Sequence, residues 1–284
     1  MRATIHLVSA RDCLELRPAL QRVCERMFWR GSPFGRRLGD VDVDKVLAAG
    51  RALLEEVPRT RAQLRTLLAG LWPGEDADSL ANAIGYLVPL VQVPPRGLWS
   101  RSGRATLTTV EAWLGRPLGA ATAPDAAVLR YLAAFGPASG KDIAVWSGVT
   151  GVREIVERLR GKLRTFRDEN GIELFDAPGA PLADPDTPAP VRFLPQYDNV
   201  FLSHADRSRI GDAADRPGLG FGDGRFFSLV LIGGFLRAAW RVDDGDVVVK
   251  PARRLSKRDA AAVEAEGRRL AAFLGGGEVR ILPA

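Results

Sequence analysis

The sequence predicts an α+β protein in which two helix–helix–hairpin units are followed by a smaller β-rich unit. Three features of its 284 residues indicate this class. Helical and strand-like patterns recur in the same order after about 70 residues, which is too long for a solenoid repeat. A proline-rich stretch follows the second unit, and β-rich runs with turn signals follow the prolines. A chain of this length accommodates two or three small domains with separate cores.

Composition is typical of a soluble globular protein, since 46% of the residues are hydrophobic and 26% are charged. No run approaches the roughly 18 apolar residues of a membrane helix. The only cysteines, Cys13 and Cys24, lack metal-ligand spacing, so we predict no metal site, no cofactor and a reducing, cytoplasmic location. The net charge is +6, and arginine supplies most of the cations. Either a GC-rich coding bias or binding to phosphate groups explains this excess.

Residues 1–41 are predicted to form a strand and a helix. Residues 4–8 alternate in polarity, as a strand does. The helix is expected over residues 10–30, because Ser9 supplies an N-cap and Asp12 complements the helix dipole. A Gly-Ser-Pro sequence ends it.

Residues 42–120 have the pattern of a helix-turn-helix followed by a wing, which is a winged helix. Helices are predicted over residues 42–56, 58–68 and 78–87, strands over residues 88–93 and 105–109, and a basic loop over residues 94–103. The last of these helices would enter the groove of DNA in such a fold. Its polar residues Ser79, Asn82 and Tyr86 are uncharged, which argues against strong base readout and favours recognition of backbone and shape.

The same order recurs in residues 121–177, which predicts a second winged helix. Helices are expected over residues 125–135, 139–147 and 152–165, and a hairpin over residues 166–175. Asn170-Gly171 is the strongest two-residue turn signal in the chain.

Residues 178–192 are predicted to be a linker, because the prolines there prevent a regular hydrogen-bond ladder. Residues 193–284 then form a β-rich domain with one helix. Strands are expected over residues 225–232, 235–242, 246–250 and 279–282, and the helix over residues 256–273. Asp243-Asp244-Gly245 predicts a hairpin turn, and Gly233-Gly234 a bulge or a close packing contact. The pattern favours a small barrel-like sheet.

Arginines near the first winged helix are the main candidates for DNA contact. Arg61 and Arg65 lie on its second helix, and Arg96, Arg101 and Arg104 lie in its wing beside an aromatic side chain. Guanidinium groups bind phosphate in a bidentate manner and stack on bases, so these residues predict a phosphate-binding wing. The alternative is a solvated polar face.

A second set of cations lies in the other winged helix. Arg158, Lys162 and Arg164 are predicted to contact DNA, although Glu154 is placed to pair with Arg158, so part of this set is ordinary helix surface. Arg207 in the C-terminal domain is a further candidate.

Residues 193–209, FLPQYDNVFLSHADRSR, place an apolar run between two polar clusters. We expect a turn, a short strand and a second turn. Asp198, His204 and Asp206 are the candidate catalytic residues, because loops at strand edges often carry function. The alternative interpretation is a structural turn with an Asp–Arg pair.

Four sequence blocks occur in an order that resembles a known family. They are MRATIHLVSARD at the start, LVQVPPRGLWSRSG from residue 90, LPQYDNVFLSHADRSRI from residue 194 and LVLIGGFLRAAWRV from residue 229. Together they resemble a bacterial family of winged-helix DNA-binding proteins that includes the AlkZ-like DNA glycosylases, which unhook interstrand crosslinks. The resemblance implies DNA repair, and it identifies residues 1–41 as the remnant of an N-terminal winged-helix region.

One part of the family pattern is missing. Glycosylases of this family carry a Gln-x-Gln catalytic motif upstream of the block that resembles MRATIHLV, whereas Gln21, Gln63, Gln92 and Gln196 are scattered here. Either the motif is truly absent, or the true start codon lies upstream of Met1.

The resulting expectation is a monomeric winged-helix protein related to crosslink-repair glycosylases. It would bind double-stranded DNA, including alkylated or crosslinked duplexes, mainly through backbone contacts, and be catalytically incomplete as written. The alternatives are a non-enzymatic winged-helix transcriptional regulator and a protein-interaction module. No membrane association is expected.

Overall fold

The computed structural model describes residues 2–120, 124–212, 215, 218–225 and 227–284. The chain divides into two compact units: residues 1–134 with 147–163, and residues 135–146 with 164–284. Both contain helices and strands, so the predicted α+β class is confirmed. No helix of the described ranges is long and apolar enough to cross a membrane.

The first unit is mostly helical. Its helices, in chain order, are α1 (Ala10–Ala19), α2 (Gln21–Arg26), α3 (Val43–Glu56), α4 (Arg61–Leu71), α5 (Ala77–Leu87), α6 (Val110–Leu114), α7 (Asp125–Phe135) and α9 (Val152–Leu159), the last two being separated by α8 (Gly140–Ser147). Leu64, Leu68, Leu80 and Ile84 are almost fully buried where α4 meets α5, and they form the centre of the unit's largest core.

The first helical segment differs from its prediction. Ser9 accepts a hydrogen bond from Asp12 N at 3.1 Å, which confirms the predicted cap. The helix expected over residues 10–30 is instead α1 and α2, followed by a π-helical turn. Pro18 explains part of the break, because it cannot donate to the carbonyl four residues earlier. That carbonyl, of Leu14, accepts from Gly119 N at 3.1 Å. Residues 4–8 form no strand.

A three-stranded sheet closes one side of this unit. Its strands are β1 (Arg59–Thr60), β2 (Leu90–Val93) and β3 (Thr106–Thr109), in the order β1-β3-β2. The β2–β3 hairpin is antiparallel, with Leu90 opposite Thr109 and Val93 opposite Thr106. Two threonines anchor β3 to the end of α3: Thr108 Oγ1 donates to Leu54 O at 2.9 Å, and Thr109 Oγ1 donates to Glu55 Oε1 at 3.0 Å. The loop between β2 and β3 therefore rises from a well-anchored base.

Residues 124–177 contain the second set of predicted elements, while residues 121–123 lie outside the described part. Helix α9 ends at Leu159, earlier than predicted, because residues from Arg164 onward pair as a strand. The predicted hairpin is confirmed as β4 (Arg164–Arg167) and β5 (Glu173–Asp176), with the Asn170-Gly171 signal in its loop.

The second unit is built on an open five-stranded sheet. Its strands are β6 (Arg192–Leu194), β7 (Ser228–Ile232), β8 (Phe235–Asp243), β9 (Asp246–Pro251) and β10 (Val279–Ile281), in the order β10-β9-β8-β7-β6. The expected barrel-like closure is wrong for the described residues, because β6 and β10 are sheet edges. Helix α11 (Lys257–Leu274) covers one face instead and buries Val230, Val247 and Val249 against Val263. Strand β6 was not predicted, and residue 226 of the predicted run 225–232 lies outside the described residues.

Two glycines of the second unit form a turn rather than the predicted bulge. Ile232 pairs with Phe235, so Gly233 and Gly234 are the two central residues of the β7–β8 hairpin. Their φ angles of 60° and 84° fit the left-handed conformation that such a turn requires. The bulge lies earlier in the ladder, between Val230 and Leu231.

The segment 193–209 is also different from its prediction. Residues Asn199–Leu202 form a short helix, α10, and not a strand. Asp198 caps this helix, since its side chain accepts from Val200 N at 2.7 Å. One well-placed cap therefore outweighs the β propensity of the Val-Phe-Leu run.

Candidate nucleic-acid interface

The wing, defined as residues 94–104, is an exposed basic segment of the first unit. Arg96, Arg101 and Arg104 are all exposed, and the Trp99 side chain between them is 67% exposed. A large exposed aromatic residue beside three guanidinium groups is typical of a surface that meets phosphates and bases. These side chains are accessible to a ligand, and the phosphate-binding role of the wing stays a prediction.

The charges of the wing are not compensated within the described part of the first unit. Arg101 and Arg104 have no carboxylate within ion-pair distance there, and Arg96 only approaches the Gly103 carbonyl at 3.5 Å. Other arginines of the unit are paired, for example Arg51 with Glu55. An unpaired exposed cation gains most when it displaces counterions from a phosphate. The wing arginines are thus accessible cations without a carboxylate partner among the described residues of the first unit.

Arg61 and Arg65 are partly engaged by α5. The Arg61 guanidinium donates to Asn82 Oδ1, and Arg65 lies 3.4 Å from Asp78 Oδ1. Arg65 and Asp78 are both about half exposed, so their ion pair contributes little to stability. A phosphate could therefore replace Asp78 as the partner of Arg65. Arg61 and Arg65 are therefore less available to a phosphate than the wing arginines.

Helix α5, which the sequence predicted to be the groove-reading helix, lies inside the unit. Ser79, Asn82 and Ala83 are buried along with its leucines and isoleucine. The N-terminal segment covers it: Arg17 Nη2 donates to Tyr86 O at 3.2 Å, and Gln21 Nε2 donates to Leu87 O at 3.0 Å. Burial explains why the helix carries uncharged polar residues. A covered helix cannot enter a DNA groove.

Intramolecular carboxylates hold two of the three cations predicted in the second winged helix. Arg158 makes a bidentate pair with Asp125, at 2.9 Å and 2.5 Å, and this pair lowers the pKa of Asp125. In the second unit, Arg164 lies 2.9 Å from Asp176, whose side chain is only 1% exposed. Removing Arg164 would leave that carboxylate buried without its counter-ion, so we assign Arg164 a structural role. Lys162 is exposed.

In the second unit, His204 uses both ring nitrogens to hold residues 203–209 in place. Its Nε2–H donates to Phe135 O at 3.1 Å, and its Nδ1 accepts from the Ser203 hydroxyl at 2.8 Å. Burial and the nearby Arg209 lower the pKa of His204 below its ordinary value, although Asp142 opposes this shift. A neutral imidazole with both nitrogens bonded has neither a lone pair nor a proton to give to a substrate. The structure therefore supports a positioning role for His204.

Asp142 is the central residue of this cluster, and sequence reasoning missed it. One carboxylate oxygen accepts from Ser139 N at 2.8 Å and from Ser139 Oγ at 2.7 Å, and the other accepts from Ala205 N at 2.8 Å. Burial alone would raise the pKa of Asp142, but the bonds from Ser139 and Ala205 outweigh it and lower the pKa. The signal was present in the sequence, because a serine three residues before an acidic residue is a capping pattern. Its link to residue 205 was not.

The other charged residues of this segment also have local partners. Asp206 accepts from Ser208 N at 2.9 Å and from Ser208 Oγ at 2.8 Å, and these bonds lower its pKa. Arg207 lies over the Phe201 ring at 4.4 Å. Asp198, Asp206 and His204 are thus each engaged in backbone or neighbouring hydrogen bonds, which favours the structural interpretation of the segment over the catalytic one.

Comparison with known proteins gives two matches. A family model described as DNA glycosylase AlkZ-like matches residues 1–273. Among solved structures, the DNA glycosylase AlkZ of Streptomyces sahachiroi is similar, with a TM-score of 0.73 at 22% sequence identity, over 100% of this chain and 80% of that one. At this identity the structural likeness shows a shared fold. No curated protein matches.

Proposed function

Since the chain belongs to the AlkZ-like DNA glycosylase family, we propose that it binds duplex DNA through phosphate contacts made mainly by its wing. The proposal includes alkylated and crosslinked duplexes as its targets, in keeping with the kind of lesion that the family's glycosylases act on. We further propose that these 284 residues bind DNA without releasing a base. The observation that carries the binding proposal is the set of three uncompensated arginines around Trp99.

Recognition of the backbone fits the structure better than base readout. Phosphate contacts fix the position of a protein on DNA but carry no sequence information. Sequence-specific readout needs an element in the major groove, and helix α5 is buried in its own unit. A sequence-specific transcriptional regulator would need such an exposed helix. We therefore expect weak sequence selectivity and strong dependence on salt.

The proposal that no base is released rests on the side chains that are present. No Gln-x-Gln pair occurs in the 284 residues. Gln21 bonds the end of α5, and Gln63 completes the capping box of α4. His204 has both ring nitrogens bonded. Base excision needs a polar group that places or activates water at the sugar, and loss of a general base typically lowers the rate about 10²–10⁴-fold.

The wing is tested by replacing Arg96, Arg101 and Arg104 together by alanine. Each lost phosphate contact lowers the slope of log affinity against log salt by about 0.9, so the slope should fall by about 2.7. When the salt concentration rises fourfold, the affinity of the wing variant should therefore fall about 40-fold less than that of the unaltered chain. Fluorescence anisotropy of a labelled duplex between about 50 and 200 mM salt measures it.

A matched control removes three arginines that already have carboxylate partners. Arg268, Arg269 and Arg280 pair with Glu264, Glu266 and Asp246 in the second unit. Their triple alanine variant has the same net charge as the wing variant, +6 − 3 = +3. We expect its salt slope to stay near that of the unaltered chain. Equal slopes for the wing variant and the unaltered chain would refute the wing proposal.

Base release is measured on the same preparations, with a single-turnover assay on a crosslinked or N7-alkylated duplex. We expect binding but no release above background. Robust release that is abolished by Asp206→Asn or His204→Ala would show that the segment 193–209 is itself catalytic.

A further inference from the structure

The second unit contains a cleft that the proposed wing contacts do not use. Its volume is about 550 Å³, within the range of ligand sites. Aromatic and glycine residues form most of its wall, together with one amide and one guanidinium group; the residues used below are Gln196, Tyr197, Gly220, Phe221, Arg225 and Phe227. All of them belong to the second unit.

Tyr197 is the most unusual residue of the cleft. Its φ angle is 59°, in the left-handed region that residues other than glycine seldom adopt. Its side chain is nevertheless 73% exposed, so burial of the ring does not offset this strain. Strained backbone conformations cluster at ligand-binding and active sites, because the strain places a side chain where the site needs it. Here the strain presents an aromatic ring at the cleft.

Charged side chains fix the part of the cleft wall that contains Phe221. The Arg241 guanidinium lies 4.0 Å from the centroid of the Phe221 ring and also bonds Asp223 Oδ2 at 2.5 Å. Asp223 accepts a second bond, of 3.0 Å, from Arg225 Nε, and together these bonds hold the pKa of Asp223 well below its usual range. One face of Phe221 is therefore occupied by a cation, and the ring is fixed before any ligand binds.

The remaining wall brings backbone and ring close together. Gly220 has a φ angle of 121°, and a Cβ built there would lie 3.0 Å from the Phe227 ring. Gly222 is also left-handed, at 73°, and a Cβ on it would meet open space. Gly220 therefore lets the Phe227 ring pack against the backbone, and Gly222 leaves room for a flat group to approach the backbone.

From this arrangement we propose that the cleft binds a nucleobase that has left the helical stack. Tyr197 and Phe221 supply stacking surfaces, and stacking on aromatic side chains is tolerant of base identity. The exposed amide of Gln196 both donates and accepts, as the edge of a base requires. Arg225 already pairs with Asp223 and Asp243, so its part is to fix the wall of the cleft, and stacking supplies the binding.

The inference rests on the proposed function only in that the ligand is DNA. An unstacked base comes from one of two sources, a single strand or a base extruded from a duplex. Binding of a base from either source is tested with 2-aminopurine, a base analogue whose fluorescence is quenched by stacking. One probe is a single-stranded trinucleotide with a central 2-aminopurine, and the other is a duplex with 2-aminopurine as a single-base bulge, compared with the fully paired duplex.

The unaltered chain should quench the trinucleotide and bind the bulged duplex about tenfold more tightly than the paired one, within the range expected for stacking of one base. Tyr197→Gly removes the ring and relieves the strained φ, so it should remain folded and lose both effects. Tyr197→Phe should keep them. Phe273→Ala, which removes a 68% exposed ring from α11, is the matched control and should change neither.

The triple alanine variant of Arg96, Arg101 and Arg104 distinguishes binding by the wing from binding by the cleft. If the proposed function holds, this variant binds paired and bulged duplexes more weakly but keeps their ratio and the quenching of the trinucleotide. If the chain binds no duplex, the trinucleotide alone decides about the cleft. Absence of quenching by the unaltered chain, or equal quenching by Tyr197→Gly, overturns the inference.

Discussion

Replacing Asp142 by alanine is expected to release residues 203–209 from helix α8. The carboxylate accepts the backbone N–H groups of Ser139 and Ala205, together with the Ser139 hydroxyl, and it is 7% exposed. Alanine leaves two N–H donors without an acceptor, and each unsatisfied buried donor costs about 1–3 kcal/mol. Because Ser139 and Ala205 are themselves half-buried, water can reach them in part, and we expect the lower end, about 2 kcal/mol.

Asp206 provides a matched control for this prediction. It accepts the N–H and hydroxyl groups of Ser208 with nearly the same geometry, but it is exposed. Water replaces those bonds in Asp206→Ala, so its cost should stay within a few tenths of a kcal/mol. The two carboxylates bond the same kinds of group, so the difference between the two variants measures the effect of burial on the energetic cost of losing these hydrogen bonds.

Hydrogen exchange of the backbone amides in residues 203–209 measures the difference. A loss of about 2 kcal/mol raises the opening equilibrium roughly 30-fold in Asp142→Ala, while Asp206→Ala changes it little. Asp142→Asn should lie between them, since one amide oxygen still accepts from Ala205 N while the NH₂ group opposes Ser139 N. Equal exchange in the two alanine variants would refute the role of burial.

The pH dependence of the same cluster has a definite sign. The pKa of Asp142 is lowered in the folded chain. Its stabilising contribution is therefore present above the unfolded-state value, about 4, and is lost as the pH falls below it. We expect the opening equilibrium of residues 203–209, taken as the exchange rate divided by the intrinsic rate at each pH, to rise on acidification below this value and not to rise in Asp142→Asn.

Two further predictions concern single sites. Burial lowers the pKa of His204 in the folded chain, so on acidification the unfolded chain takes up this proton at a higher pH than the folded chain does. The free energy of unfolding should therefore fall as the pH drops below about 6.5, by at most about 1.4 kcal/mol per pH unit. Urea unfolding between pH 8 and 5 should show this slope in the unaltered chain and a smaller one in His204→Gln. A Cβ on Gly50 in α3 would collide with Ile84, so Gly50→Ala should cost about 1–3 kcal/mol. Gly70→Ala in α4 meets open space and should instead stabilise by about 0.5 kcal/mol through helix propensity; equal thermal midpoints of the two variants would contradict this.

Local signals in the sequence predicted much of the fold. The N-cap at Ser9, the helices α3 and α11 and the Asp243-Asp244-Gly245 turn are all confirmed. Each depends on residues within one or two turns of chain, because caps and tight turns are satisfied by neighbouring backbone groups. Such interactions can be recognised without knowing what lies across the core.

Where local signals compete, the sequence alone chose wrongly. Residues Val200–Leu202 have strand propensity, yet the Asp198 cap and the bonds of His204 to Phe135 hold that segment as a helix and loop. The paired glycines at 233 and 234 were predicted to form a bulge or a close packing contact, whereas the pairing of β7 with β8 makes them a turn. In the first case a local cap and a carbonyl distant in sequence act together, and in the second the register of the two strands selects the conformation.

The sequence by itself determined the α+β class, the basic wing and, through family resemblance, the relation to DNA glycosylases. The tertiary structure decided which charges are available to a ligand. Arg158 and Arg164 look alike in the sequence to Arg101 and Arg104, but their guanidinium groups are held by Asp125 and Asp176, whereas the wing arginines have no carboxylate among the described residues. The physical reason is that compensation of a charge depends on distance in space, and the acidic partner of an arginine can lie anywhere along the chain.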